Sequence, residues 1–204
     1  SGMGTALKAA AAATAAAVAG AATAIGALTT KAIEGYAAQE QLVGGVETLF
    51  KTSSDTVVGY ANDAYKTAGM SANEYMETVT SFSASLLASM NNDTAAAAEK
   101  ANVAITDMSD NANKMGTDIS LIQNAYNGFA KQNYTMLDNL KLGYGGTKEE
   151  MQRLLDDASK LSGIKYDISS YSDVVDAIHV VQTEMGITGT TAKEASTTIE
   201  GSVS

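Results

Sequence analysis

The sequence predicts an all-α chain, a multi-helix bundle with a long Ala-rich helix at its N-terminus. Three observations predict it. Apolar side chains recur at steps of three and four through most of the chain, the period of a helix face. Hydroxyl or acid residues stand ahead of these runs, several with a glutamate three places on, as a helix start requires. Proline is absent from all 204 residues, so no ring breaks a helix, and glycines mark the connections instead.

Ser1 and Gly2 ahead of Met3 read as the remnant of an expression tag. Residues 3–40 read as an extended Ala-rich helix and residues 41–204 as a helical domain, with a protease-accessible boundary expected near 36–50. The first part contains "ALKAAAAATAAAVAGAATAIGALTTK", in which Ala9 to Thr30 carries no charge between Lys8 and Lys31. Its length reaches the roughly 20 residues that span a bilayer. Only Val18, Ile25 and Leu28 favour insertion, at roughly −0.3 to −0.6 kcal/mol each, and the threonines and glycines oppose it. Two readings stand. One is a soluble helix that self-associates through small residues. The other is a membrane-active, channel-forming helix whose contacts would fall on Val18, Gly20, Ile25, Gly26 and Leu28.

From Leu42 to Ala64 the apolar positions Leu42, Val46, Leu49, Val57, Tyr60 and Ala64 keep helical steps, with Ser53 where an apolar residue is due. Gly44, Gly45 and Gly59 each cost a helix about 1 kcal/mol relative to Ala, so a bend or break is expected there. Gly69 ends this unit. Ser71 with Glu74 has capping-box spacing and opens a helix with Tyr75, Val79, Phe82, Leu86 and Met90 on one face. Asp93 caps the next, whose stripe is Ala101, Ile105, Met108, Ala112 and Met115. Asp107 and Asp110 lie beside this stripe and read as its solvated flank. Gly116 stops that helix and Thr117 starts another, with Ile119, Ile122, Tyr126 and Phe129 inward.

A short apolar piece, Tyr134 to Leu142, leads into "NLKLGYGGTKEEMQRLL". Its glycines and lysine invite comparison with a phosphate-cradling loop, but that motif needs Lys directly after the last glycine and a hydroxyl after the Lys. Here Gly146 is followed by Thr147 and then Lys148. Thr147 with Glu150 instead has capping-box spacing for a helix with Met151, Leu154, Leu155, Ala158 and Leu161 on its apolar face. "IKYDISSYSD" is where a strand could form. Ser172 then caps a helix carrying Val174, Val175, Ile178, Val181 and Met185, Gly186 and Gly189 close it, and Thr191 with Glu194 starts a last helix.

Function classes narrow quickly. The absence of cysteine removes thiol nucleophiles and cysteine-based zinc sites. The one histidine, His179, sits at the border of an apolar face and reads as boundary packing, since a metal site or catalytic imidazole needs partners. Glu149/Glu150 and Asp156/Asp157 are sequence neighbours and diverge on a helix, unlike a glycosidase pair. No G-x-S-x-G, H-E-x-x-H or calcium-loop pattern occurs, so no catalytic, cofactor-binding or metal residue is assigned and an enzyme is not expected. The formal charge is −10, and of 13 basic and 23 acidic residues only Lys8, Lys31, Glu34, Glu40 and Glu47 fall in the first fifty. The acidic remainder should repel nucleic acid.

The strings "ANDAYKTAGMSANEYMETVTSFSASLL", "AITDMSDNANKMGTDISLIQNAYNGFAKQNYTMLDNLKLGYGGTKEEMQRLL" and "DAIHVVQTEMGITGTTAKEASTTIEGS" resemble the signature region of tail tape measure proteins of long-tailed bacteriophages and prophages. The resemblance runs from about Val46 to Val203; the Ala-rich start resembles that family only in composition. It implies a structural virion protein, made in the bacterial cytoplasm, that sits in the tail tube, helps set tail length and assists DNA delivery. It also implies other tail proteins as partners: tail tube, tail tip and assembly chaperones. Some members of the family carry cell-wall hydrolase domains, whose motifs do not occur here, and no catalytic residue carries over. Even fully helical, the chain would reach only about 300 Å at 1.5 Å per residue, so a folded module is expected from Val46 onward.

Overall fold

Helix α4, Thr94–Met115, runs through the middle of the domain and touches most of what surrounds it. A computed structural model describes residues 37–201 of the chain, which divides into two compact units, Ser1–Gln41 and Leu42–Ser204. The Ala-rich segment up to residue 36, with Val18, Gly20, Ile25, Gly26 and Leu28, lies outside the described residues. No helix among the described residues is long and apolar enough to cross a membrane.

The described chain opens as helix over 37–50 (α1), tightens into a 3-10 turn at Lys51–Ser53 (η1) and continues as α2, Ser54–Thr67. It then forms α3 (Ala72–Ser89), α4, α5 (Ile119–Phe129), a 3-10 turn at Leu137–Leu140 (η2), α6 (Lys148–Ser162), α7 (Tyr171–Glu184) and α8 (Thr190–Gly201). No strand occurs among the described residues, and the all-α class holds. Helices α2, α3, α5, α7 and α8, with both 3-10 turns, pack on α4, while α6 packs on α7.

Local chemistry explains most starts and stops. The side chains of Ser71, Asp93 and Thr147 accept the N–H of Glu74, Ala96 and Glu150 respectively, each satisfying a donor that a helix start leaves orphaned. Gly116 and Gly163 close α4 and α6 in the left-handed conformation, with φ of 65° and 74°. The inward faces of the sequence reading are the core: Tyr75, Val79, Phe82 and Leu86 from α3, Ala101, Ile105 and Met108 from α4, and Ile122, Tyr126 and Phe129 from α5 are all buried. So are Met151, Leu154, Leu155 and Ala158 of α6 and Val174, Val175, Ile178 and Val181 of α7.

Several expectations are corrected. The break before α2 falls at Lys51, where φ is 51°, not at a glycine; Gly44, Gly45 and Gly59 sit inside helices because buried Val46, Phe50, Val57 and Ala61 hold those helices in place. "IKYDISSYSD" is not a strand. Its polar groups close on themselves: Tyr166 Oη donates to Ser162, Asp167 takes the N–H and hydroxyl of Ser169, and the Asp167 N–H goes to Asp173. Helix α7 is capped by Ser170, which accepts the Asp173 N–H, while Ser172 is buried in the first turn. Helix α5 is capped by Asp118 in place of Thr117. Leu161, in the last turn of α6, and Met185, just after α7, are 49% and 45% exposed and stand outside the core.

Candidate functional site: the polar hub of helix α4

The C-terminal half of α4 reads "TDMSDNANKM", in which Asp107 and Asp110 are expected to form the solvated flank of the Met108 stripe. Asp107, Asp110 and Asn111 are instead 1%, 0% and 0% exposed. Successive helix residues advance by about 100°, so a short polar run points all the way round. The buried polar side chains of this half of α4 therefore reach several elements, α7 and η2 on one side and the end of α2 and the start of α8 on others.

Asp107 faces α7, where Nδ1 of His179 lies 2.9 and 3.0 Å from its two carboxylate oxygens. Asn111 donates to Gln182 of α7 at 2.7 Å and to the carbonyl of Leu140 in η2 at 2.9 Å. Gln182 returns a bond to the Asp107 carbonyl at 3.2 Å. The Ser109 hydroxyl donates to the carbonyl of Ala68 just after α2. On the remaining side, Asp110 accepts the N–H of Gly189 at 2.6 Å and of Thr191 at 2.8 Å, at the start of α8. The expected Thr191 cap is thus replaced by a carboxylate 81 residues away in sequence, and the Thr191 hydroxyl is buried without a partner among the described residues. Asp107 and Asp110 are correspondingly not a solvated flank.

Burying a charge is costly unless it is paired and hydrogen-bonded, and these two carboxylates meet that condition differently. Asp110 sits where a helix dipole and two free N–H groups favour an anion. Asp107 has the imidazole. Burial pushes the Asp107 carboxyl above its ordinary value, with His179 pulling it back, and the hydrogen bond to Asp107 raises the imidazole of His179.

His179 is 38% exposed at its side chain and borders a shallow groove of about 330 Å³ with Met90, Ala96, Glu99, Lys100, Val103 and Asp176. An ion pair between Lys100 and Asp176 spans the same α4–α7 seam. A buried carboxylate behind an imidazole is half of a catalytic triad, but the other half is a nucleophile in reach of the ring. Among the described residues the ring's hydrogen-bond partner is Asp107, and no cluster of three or more metal-ligating side chains occurs. The arrangement ties α4 to α7.

The glycine loop ahead of α6 is a clasp. Glu150 accepts the N–H of Gly145 at 2.9 Å and bonds Arg153, which donates to the carbonyl of Gly143 at 2.7 Å and lies 4.3 Å over the ring of Tyr144. Tyr144 Oη donates to Asp157 at 3.0 Å. Arg153 first, and then the Gly145 N–H, draw the Glu150 carboxyl down to about 2. The reciprocal half of the expected capping box goes to Gly145, not to Thr147.

No family model matches the chain, and no curated protein and no solved structure matches it either. The hub was missed in the sequence, though one signal for it was present. Asp, Ser and Asn are poor helix formers, and four of them at 107, 109, 110 and 111 in mid-helix make sense only where tertiary bonds use them.

Proposed function

We propose that this chain is a structural component of a long-tailed phage or prophage tail, part of a tape measure protein, acting by assembly and packing and not by chemistry. The observation that carries this reading is the resemblance of the long uninterrupted strings between Val46 and Val203. A helical module whose buried polar groups are spent on joining its own helices agrees with it. So does the formal charge of −10, because a protein lining a channel that DNA must cross should not grip phosphates. The partners are the tail tube, tail tip and assembly chaperones.

Shortening the encoding gene in frame is expected to shorten tails in proportion, read by negative-stain electron microscopy, with peptides of this chain present in purified tails by mass spectrometry. Tails of unchanged length, or tails lacking the chain, overturn the reading.

A further inference from the structure

Helix α8 lies beside α2 and α4, and its hydrogen bonds to the rest of the domain gather chiefly at its first turn. The two N–H bonds to Asp110 are joined there by Thr190 Oγ1, which donates weakly to the Asp110 carbonyl at 3.3 Å, and by the Thr191 methyl group packed toward Gly69. One turn on, Asn113 of α4 donates to Glu194 at 2.9 Å. Among the described side chains the last buried apolar residue is Ile187, 1% exposed, which lies between two glycines in the left-handed region, Gly186 and Gly189, with φ of 67° and 85°. From Thr190 to Thr197, Thr190, Thr191 and Ala195 are half-buried and the other described side chains are exposed. Helix α7, by contrast, buries Val174, Val175, Ile178 and Val181.

A helix of 12 residues is marginal in water by itself, and most helical stability in proteins comes from packing an apolar face. Helix α8 has no fully buried apolar side chain among those described, so its stability leans on the Asp110 cap. We infer that α8 is a releasable arm, latched by the Asp110 carboxylate and hinged at Gly186–Gly189, which undocks and unwinds as a unit while α2–α7 stay folded. Regions with few buried contacts open this way below the global unfolding free energy. The inference does not depend on the tail assignment.

Native-state hydrogen exchange on the whole chain tests it. Amides of 193–197 are expected to exchange at least about 100-fold faster than those in the middle of α4 and α7. In Asp110→Asn the side-chain amide confronts one of the two N–H donors. Exchange in α8 should then rise by a further factor of about ten, as for loss of a hydrogen bond to a charged group, with α4 and α7 unchanged. Asn113→Ala should give a smaller rise confined to α8. Exchange of wild-type α8 in step with α4 and α7 overturns the inference. So does an Asp110→Asn chain that fails to fold or speeds every helix alike, for the carboxylate would then hold the whole domain and not an arm.

Discussion

Nδ1 of His179 lies 2.9 Å from the carboxylate of Asp107, which is only 1% exposed, while the imidazole keeps 38% of its side-chain surface in water. The two ends of this tie are therefore unequal. His179→Ala strands a buried carboxylate and should cost about 3 kcal/mol at neutral pH, the low end for breaking a buried pair because water can enter where the ring stood. Asp107→Asn keeps an acceptor for the ring and leaves an imidazole that water can reach, so about 1 kcal/mol is expected. Urea unfolding midpoints compare the two. Equal or reversed losses would mean that the tie is not what keeps Asp107 buried.

The same tie sets a pH dependence. The His179 imidazole is raised above its ordinary value of 6.5, first by the hydrogen bond to Asp107, against a lowering by burial. A raised value means that the folded state holds the proton more tightly. The stabilisation is complete below about 6.5 and is lost as pH climbs through the folded value. Asp107, also raised, acts in the same sense from 3.8 upward. The lowered carboxylates Glu150, Asp157, Asp118 and Asp167 act oppositely and only in acid, so they are silent here. Stability should fall from pH 6.5 upward, and His179→Gln should flatten that decline. An unchanged slope in His179→Gln assigns the titration elsewhere.

Two glycines should respond with opposite signs. A Cβ on Gly59, exposed within α2, meets nothing within 4 Å, so Gly59→Ala should stabilise by up to about 1 kcal/mol and raise Tm by roughly 2–4 °C. A Cβ on Gly146 would lie 2.2 Å from the carbonyl oxygen of Thr135, which is backbone and cannot swing aside. Gly146→Ala should cost about 2 kcal/mol or more and loosen the clasp ahead of α6. Thermal melts of both variants decide; a neutral Gly146→Ala would place the loop elsewhere.

Charge gives a third kind of test. With a formal charge of −10 the chain should leave duplex DNA unshifted in a native gel even at about 50 mM salt, where phosphate contacts are strong. Tight binding that weakens steeply with added salt would contradict the proposed place in a channel that DNA crosses.

Much of the fold was legible in the sequence because the forces that mark a helix act within a turn or two. Ser71, Asp93 and Thr147 cap at the expected places since a side chain there reaches an N–H three residues on. The stripes through Tyr75, Ile122 and Met151 are buried because apolar period and helix period coincide. The misses have two causes. Ser170, Asp118 and Asp110 took over the caps assigned to Ser172, Thr117 and Thr191. For the first two a neighbouring residue competes within the same turn, and for the third the acceptor comes from another helix.

The sequence by itself determined the all-α class, most of the helices and the inward face of each, all consequences of short-range sterics, capping and hydrophobic period. Only the tertiary structure decided that the C-terminal half of α4 meets other elements beyond its apolar stripe, and hence that Asp107, Asp110 and Asn111 are interior groups. Periodicity reports where a helix has one apolar face, whereas the burial of its remaining faces depends on helices that arrive some 70 to 80 residues later, as His179 and Gly189 do. No local pattern encodes that arrival.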